Sequence, residues 1–136
     1  MKRKQQGFTL IEMMLVVTII AILLGTAMYK FSPIVDWVKG TRVKGDIQAI
    51  RSSLLLYQST NGFYPTTEQG LKALVVKPES DPMPEQWRPI LDSVPRDPWG
   101  SEYIYRSPGQ KNPTTFDLLS AGPDRIVDTA DDDWGR

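Results

Sequence analysis

The sequence predicts an α+β fold in which one long N-terminal helix, a membrane anchor continuing into a head, packs on a small antiparallel sheet. Three observations predict it. An almost unbroken apolar run occupies Phe8 to Tyr29. Beyond it, Val43, Ile47, Ile50, Leu54 and Tyr57 recur at spacings of 4, 3, 4 and 3, which draws one apolar stripe along a helix with charged residues opposite. Past Gly62, short alternating pieces flank Ser107-Pro108-Gly109, a hairpin signal.

The first element is the apolar run. Its 22 residues are broken only by Thr9, Glu12, Thr18, Gly25 and Thr26, and as a helix they extend about 33 Å, enough to cross a bilayer core. Lys2, Arg3 and Lys4 precede it, which keeps that end cytoplasmic and turns the C-terminal part outward. A cleaved secretory signal has a shorter run that ends in a small-residue site. Here the small residue, Gly7, lies before the run.

Glu12 is the anomaly. A carboxylate inside an apolar span costs on the order of a few kcal/mol and needs a partner. A cut between Gly7 and Phe8 places the new α-amine one helical turn from Glu12. In an assembly, Glu12 of one copy can then meet the amine of the next, so that two costly charges neutralise each other and fix axial register. The plainer alternative is a signal anchor with one tolerated acid. The string Gly7-Phe8-Thr9-Leu10-Ile11-Glu12-Met13-Met14-Leu15-Val16-Val17 resembles the prepilin signal of type IV pilins and type II pseudopilins. That resemblance implies a leader at residues 1–7, cleavage of the Gly7–Phe8 bond by a membrane prepilin peptidase, methylation of the Phe8 amine, and an assembly role for Glu12.

The helical pattern continues to about Thr60, where Asn61-Gly62 supplies a stop. Pro33, Ser32 and Gly40 weaken its middle, and Pro33 is expected to kink or loosen it. The alternative is a membrane helix, a break and a separate soluble helix. Residues 8–32 are therefore read as the transmembrane and filament-core half, and residues 33–136 as the head.

In the head, Thr66-Thr67-Glu68-Gln69-Gly70 before Leu71, Leu74 and Val75 reads as a capped short helix, with Thr66 or Thr67 as the cap. Six prolines between residues 78 and 98 predict an ordered loop held by Trp87. Tyr103 to Tyr105 and Thr115 to Leu119 are strand candidates, with Ile90 to Val94 as a third. Asn61-Gly62-Phe63-Tyr64-Pro65-Thr66-Thr67-Glu68-Gln69-Gly70-Leu71 and Asp97-Pro98-Trp99-Gly100 look like the major pseudopilin, or G subunit, of type II secretion systems. The resemblance covers residues 1 to about 124. Type IVa pilins generally carry a cysteine pair in the head, and this chain has no cysteine.

Composition narrows the chemistry. Without cysteine or histidine there are no disulfides, no thiol chemistry and no Ser-His triad, and most zinc sites are excluded. Sixteen basic and sixteen acidic residues give zero net charge, and loss of residues 1–7 leaves −3, so nothing favours nucleic acid. Asp117 to Arg136 carries six acids against two bases, a net of −4.

Asp124, Asp128, Asp131, Asp132 and Asp133 crowd ten residues. Clustered carboxylates stay ionised and ordered only beside a cation or basic partners. Calcium, a hard ion that takes six to eight oxygens, suits such a loop; a solvated acidic tail is the alternative. The EF-hand pattern does not fit, because Ile126 falls on a ligand position. The G-type resemblance implies one calcium ion held by Asp124, Asp131 and Asp133 with the Ala121 carbonyl, Asp132 being a substitute for either neighbour. The family pattern has Asp-Gly where this chain has Asp124-Arg125, and Arg125 is a candidate partner for a carboxylate, in weak competition with the ion. The ion is expected to lock the C-terminal loop onto the sheet in place of disulfides.

The function implied is the major structural subunit of a pseudopilus, a homo-oligomeric filament that drives export of folded proteins across the outer membrane. It implies a single-pass inner-membrane protein with a periplasmic head, partnered by an inner-membrane secretion platform, minor pseudopilins and the peptidase. A surface pilus subunit for adhesion, motility or DNA uptake is the second reading. A membrane-anchored hydrolase using the Asp131–Asp133 pair is the third, and no nucleophile motif supports it.

Overall fold

The computed structural model describes residues 8–136, apart from the side chains of residues 29–34 and 36. The expected leader at residues 1–7, including Gly7, lies outside the described residues. The chain forms two compact units, Met1–Val38 and Lys39–Arg136. Helix α1 spans Leu10–Asn61 and Pro33 falls inside it; the side chain of Pro33 is not among those described.

In the first unit, the α1 stretch Leu10–Met28 has a mean hydropathy of 2.4 over its best window, none of it buried. Its start is capped: the Glu12 N–H donates to Thr9 Oγ1 at 3.3 Å and to the Thr9 carbonyl at 3.1 Å. Thr9 and Glu12 thus stand three apart, as N-cap and third-residue acid. The hydroxyls of Thr18 and Thr26 donate back to the carbonyls of Met14 and Leu23, so these polar atoms are satisfied within the helix, as an apolar solvent requires.

In the second unit, the predicted stripe is the core. Val43, Ile47, Ile50, Leu54 and Tyr57 are all buried, none more than 2% exposed. α1 stops where Gly62 takes φ +86° and its N–H donates to the Gln58 carbonyl at 2.7 Å, the left-handed stop that glycine adopts at little cost. Thr66 and Gln69 then form a reciprocal capping box: Thr66 Oγ1 accepts the Gln69 N–H and Gln69 Oε1 accepts the Thr66 N–H. This box closes a single turn, and the helical residues that follow, Leu71–Leu74, form a separate 3₁₀ turn starting at Gly70.

Strands β1 (Ile104–Arg106) and β2 (Asp117–Leu119) pair antiparallel, with Tyr105 opposite Leu118. Tyr103, Tyr105, Phe116 and Leu118 join the α1 stripe in one core with Leu71, Ala73 and Leu74. Phe116 packs edge-on against Tyr64 at 5.0 Å and tilted against Tyr105 at 5.7 Å. Trp87 does hold the proline-rich loop: its indole N–H donates to the Ala73 carbonyl at 2.8 Å.

The expected third strand is corrected. Residues 90–94 form no strand; the Ile90 and Leu91 N–H groups both donate to the single carbonyl of Leu74, and Pro89 and Pro95 at the flanks have no N–H for a ladder. Asp117, within the predicted Thr115–Leu119 strand, is fully buried in β2. Its carboxylate accepts the N–H groups of Lys111 and Asn112 and the Asn112 side-chain amide at 2.8 to 3.1 Å. Burial pushes its pKa up, but these donors outweigh it and hold the carboxyl below its ordinary value.

Candidate functional site

The chain presents two candidate sites, one in each unit. In the first, Phe8 and Glu12 lie at the start of α1 among exposed apolar side chains, Phe8 being 80% exposed and Leu10 79%. Glu12 sits in the first turn of α1, where the positive end of the helix favours a carboxylate. The Thr9 cap was not anticipated from sequence; the Thr9-x-x-Glu12 spacing, read as a capping box, is the signal that gives it.

The second site is the loop that follows β2. Asp124 and Asp131 are brought together: the Asp124 N–H donates to Asp131 Oδ2 at 3.2 Å, and Asp124 Oδ1 accepts the Ile126 N–H at 2.8 Å. The Thr129 hydroxyl donates to Asp131 Oδ1 at 2.6 Å. That hydroxyl first, then the Asp124 N–H, holds the Asp131 carboxyl below its ordinary value against the opposing effect of burial. Ala121 is buried at the loop's start.

Asp133 points elsewhere. Its backbone pairs with Ser120 in an isolated antiparallel bridge, both N–H···O distances being 2.9 Å, and its Oδ1 accepts the Gly135 N–H. Asp128 pairs with Arg106 at 3.3 Å. Asp132 Oδ2 accepts the Asp128 N–H, while its buried Oδ1 has no hydrogen-bond partner among the described residues. The described residues contain no group of three carboxylates arranged to hold a metal ion. The donor chemistry nevertheless fits a hard divalent cation, with hard oxygens in plenty and one buried carboxylate oxygen, next in sequence to the Asp124–Asp131 pair, left without a partner.

Arg125 takes another partner: its guanidinium donates to the Trp99 carbonyl at 2.8 Å and pairs with no carboxylate among the described residues. Its φ is +61°, and that of Asp128 is +68°. The loop thus keeps a left-handed turn at the position where the family pattern has glycine, at a cost of about 1–2 kcal/mol per non-glycine residue.

Sequence reasoning missed the network beneath this loop. Asp97, 3% exposed, accepts the N–H groups of Trp99 and Ser101 on Oδ1 and the Ser120 hydroxyl on Oδ2 at 2.6 Å. A hydroxyl such as Ser120 after Leu118-Leu119 in an apolar run requires a partner, and that is its signal.

Both parts of the chain match known families. The family described as type II secretion system (T2SS), protein G matches residues 35–134, and the prokaryotic N-terminal methylation motif matches residues 2–28. Type II secretion system core protein G of Pseudomonas aeruginosa is 45% identical over 134 residues, covering 97% of this chain and 93% of its own. That of Dickeya chrysanthemi is 40% identical over 134 residues, covering 97% and 86%. The crystal structure of the major pseudopilin from the type 2 secretion system of enterohaemorrhagic Escherichia coli superimposes with a TM-score of 0.66 at 41% identity, covering 71% of this chain and 85% of that one. The chain belongs to the type II secretion system protein G family.

Proposed function

We propose that this chain is the major structural subunit of a type II secretion pseudopilus and acts by assembling, not by catalysis. One observation carries the reading: the methylation motif and the protein G head occupy one chain that aligns nearly end to end with named core G proteins. Before assembly the α1 stretch Leu10–Met28 anchors the chain in the inner membrane, with the head on the periplasmic side. The peptidase cuts Gly7–Phe8 and the Phe8 amine is methylated. In the filament, Glu12 of one copy meets the Phe8 amine of its neighbour. Lipid and then neighbouring helices satisfy the exposed apolar surface. An inner-membrane platform and minor pseudopilins complete the machine.

The reading is tested by supplying the chain to bacteria that lack their own protein G. Restored export of folded proteins is expected, and Glu12→Ala is expected to abolish it while leaving the subunit in the membrane. Surface pili without export would replace the proposal with a pilus subunit.

Calcium belongs to the same reading. Asp124 and Asp131 are proposed to hold one ion with the Ala121 carbonyl and a third carboxylate, Asp133 or Asp132, whose Oδ1 has no hydrogen-bond partner among the described residues. When bound, the ion supplies a positive centre that offsets the mutual repulsion of these acids. The chain's own contribution is to gather the oxygens: Thr129 and the Asp124 N–H fix Asp131, and the Ser120–Asp133 bridge closes the loop on the sheet's edge. An ion bound only by the folded head stabilises it by mass action. Melting in excess calcium and in excess chelator should therefore differ by many degrees, with about one ion bound per chain, and Asp124→Ala should remove the difference. Identical melts would leave an acidic tail in place of a metal loop.

A further inference from the structure

We propose that Asp97 and Ser120 are positioning residues that preset the acidic loop for its cation without touching the ion. The proposal rests on the calcium reading above. The structure carries it through an unbroken chain of short contacts. The Asp97 carboxylate is anchored on its own turn by the N–H groups of Trp99 and Ser101 at 3.1 and 2.8 Å. Its second oxygen accepts the Ser120 hydroxyl at 2.6 Å, the length of a hydrogen bond to an ionised acceptor. With its proton committed there, Ser120 Oγ presents its lone pairs to the Gly122 N–H at 3.2 Å. Asp97 is 3% exposed and Ser120 is fully buried, so water does not compete.

Gly122 transmits the position. It takes φ +67°, and a Cβ there would lie 2.4 Å from the Asp131 carbonyl oxygen and 2.8 Å from Asp131 Oδ2. Where Gly122 is held, Asp131 is held. A second tie runs in parallel, from the Arg125 guanidinium to the Trp99 carbonyl at 2.8 Å. The turn at residues 97–100, distant in sequence, thus fixes both flanks of Asp124. A loop of like charges has no intrinsic reason to hold its carboxylates close before a cation arrives. The buried Asp97–Ser120 pair performs that ordering in advance, as outer partners do for metal ligands generally.

The full chain in detergent decides the matter by calcium titration calorimetry and by melting in calcium and in chelator. Asp97→Asn and Ser120→Ala are each expected to weaken calcium binding by about tenfold or more, still at one ion per chain. The double variant is expected to be little worse than either single, because both cut one chain of contacts. Ser120→Ala leaves the bonds of Asp97 to Trp99 and Ser101 in place, so it decides the question where Asp97→Asn does not fold. Wild-type binding with unchanged affinity in both variants overturns the proposal and spares the calcium reading. So does a lowered melting temperature in chelator with an unchanged increment on adding calcium, which marks a brace and nothing more. A wild-type chain that binds no calcium overturns both.

Discussion

Helix α1 carries two apolar surfaces with different fates. Over Leu10–Met28 the apolar side chains run all round the helix and none of the span is buried. From Val43 to Tyr57 they form a single stripe, and every member is buried. The amount of hydrophobic surface does not distinguish the two; its distribution does. A helix that is apolar on every side cannot be covered by one partner and needs an apolar solvent. A stripe needs only one surface opposite it, and the sheet and the Leu71–Leu74 turn provide that surface. The first stretch tolerates changes of shape because lipid conforms to it. The second does not, because close-packed protein cannot.

The sharpest test of this contrast is Leu54→Ala. Leu54 is fully buried, and the cavity left behind should lower the unfolding free energy of the head by about 2–5 kcal/mol, read from denaturant titration. A near-zero cost would mean that the stripe is as adaptable as the anchor. A smaller effect is expected on the partner side. Asp117→Asn exchanges an anionic acceptor for an amide that cannot serve all its donors, at a cost of about 1.5–3 kcal/mol. The sign of its pH dependence follows from the lowered pKa of Asp117. Its contribution is fully present above the ordinary carboxylate pKa of about 3.9 and is lost as pH falls below that through the folded-state value. Acid titration of the head's stability should therefore show a steeper fall for the wild type than for Asp117→Asn, and equal slopes would remove Asp117 from that account. The smallest effect belongs to the anchor: Leu15→Ala leaves no void and shifts apolar transfer by only about 0.5 kcal/mol, so the fraction of chain resisting extraction from membranes should not change. A marked loss would show that this face, too, has a fixed partner.

Local signals were the legible ones. The stripe and the Gly62 stop depend on residues within a few positions of one another, and each stands where the sequence places it; the Thr66–Gln69 box forms too, but one turn ahead of the helix it was expected to cap. The hairpin was legible as a pair of alternating pieces, although β1 and β2 are only three residues each. Long-range partners were not legible. Asp117 looks like any other acid until the backbone of residues 111 and 112 folds over it. The third strand failed because pattern was weighed above the missing N–H groups of Pro89 and Pro95. In the loop, Asp124 and Asp131 were placed together by the family resemblance, and the structure joins them through the Asp124 N–H. The direction of Asp133 follows from its bridge to Ser120, a contact that exists only once the chain has closed on itself. Asp97, 23 residues from its partner Ser120, was invisible for the same reason.

The bridge between Ser120 and Asp133 delivers Gly135 to α1, where a Cβ would come within 2.8 Å of Ile47 Cγ2. Residue 135 thus supplies part of the cover for residue 47, a closure across 88 positions. Contacts of such separation form late, because the loop entropy must be met before the contact returns anything. A head emerging in sequence order therefore gains this part of the cover over Ile47 only when residue 135 arrives. A chain cut before residue 135 therefore lacks that part of the cover over Ile47.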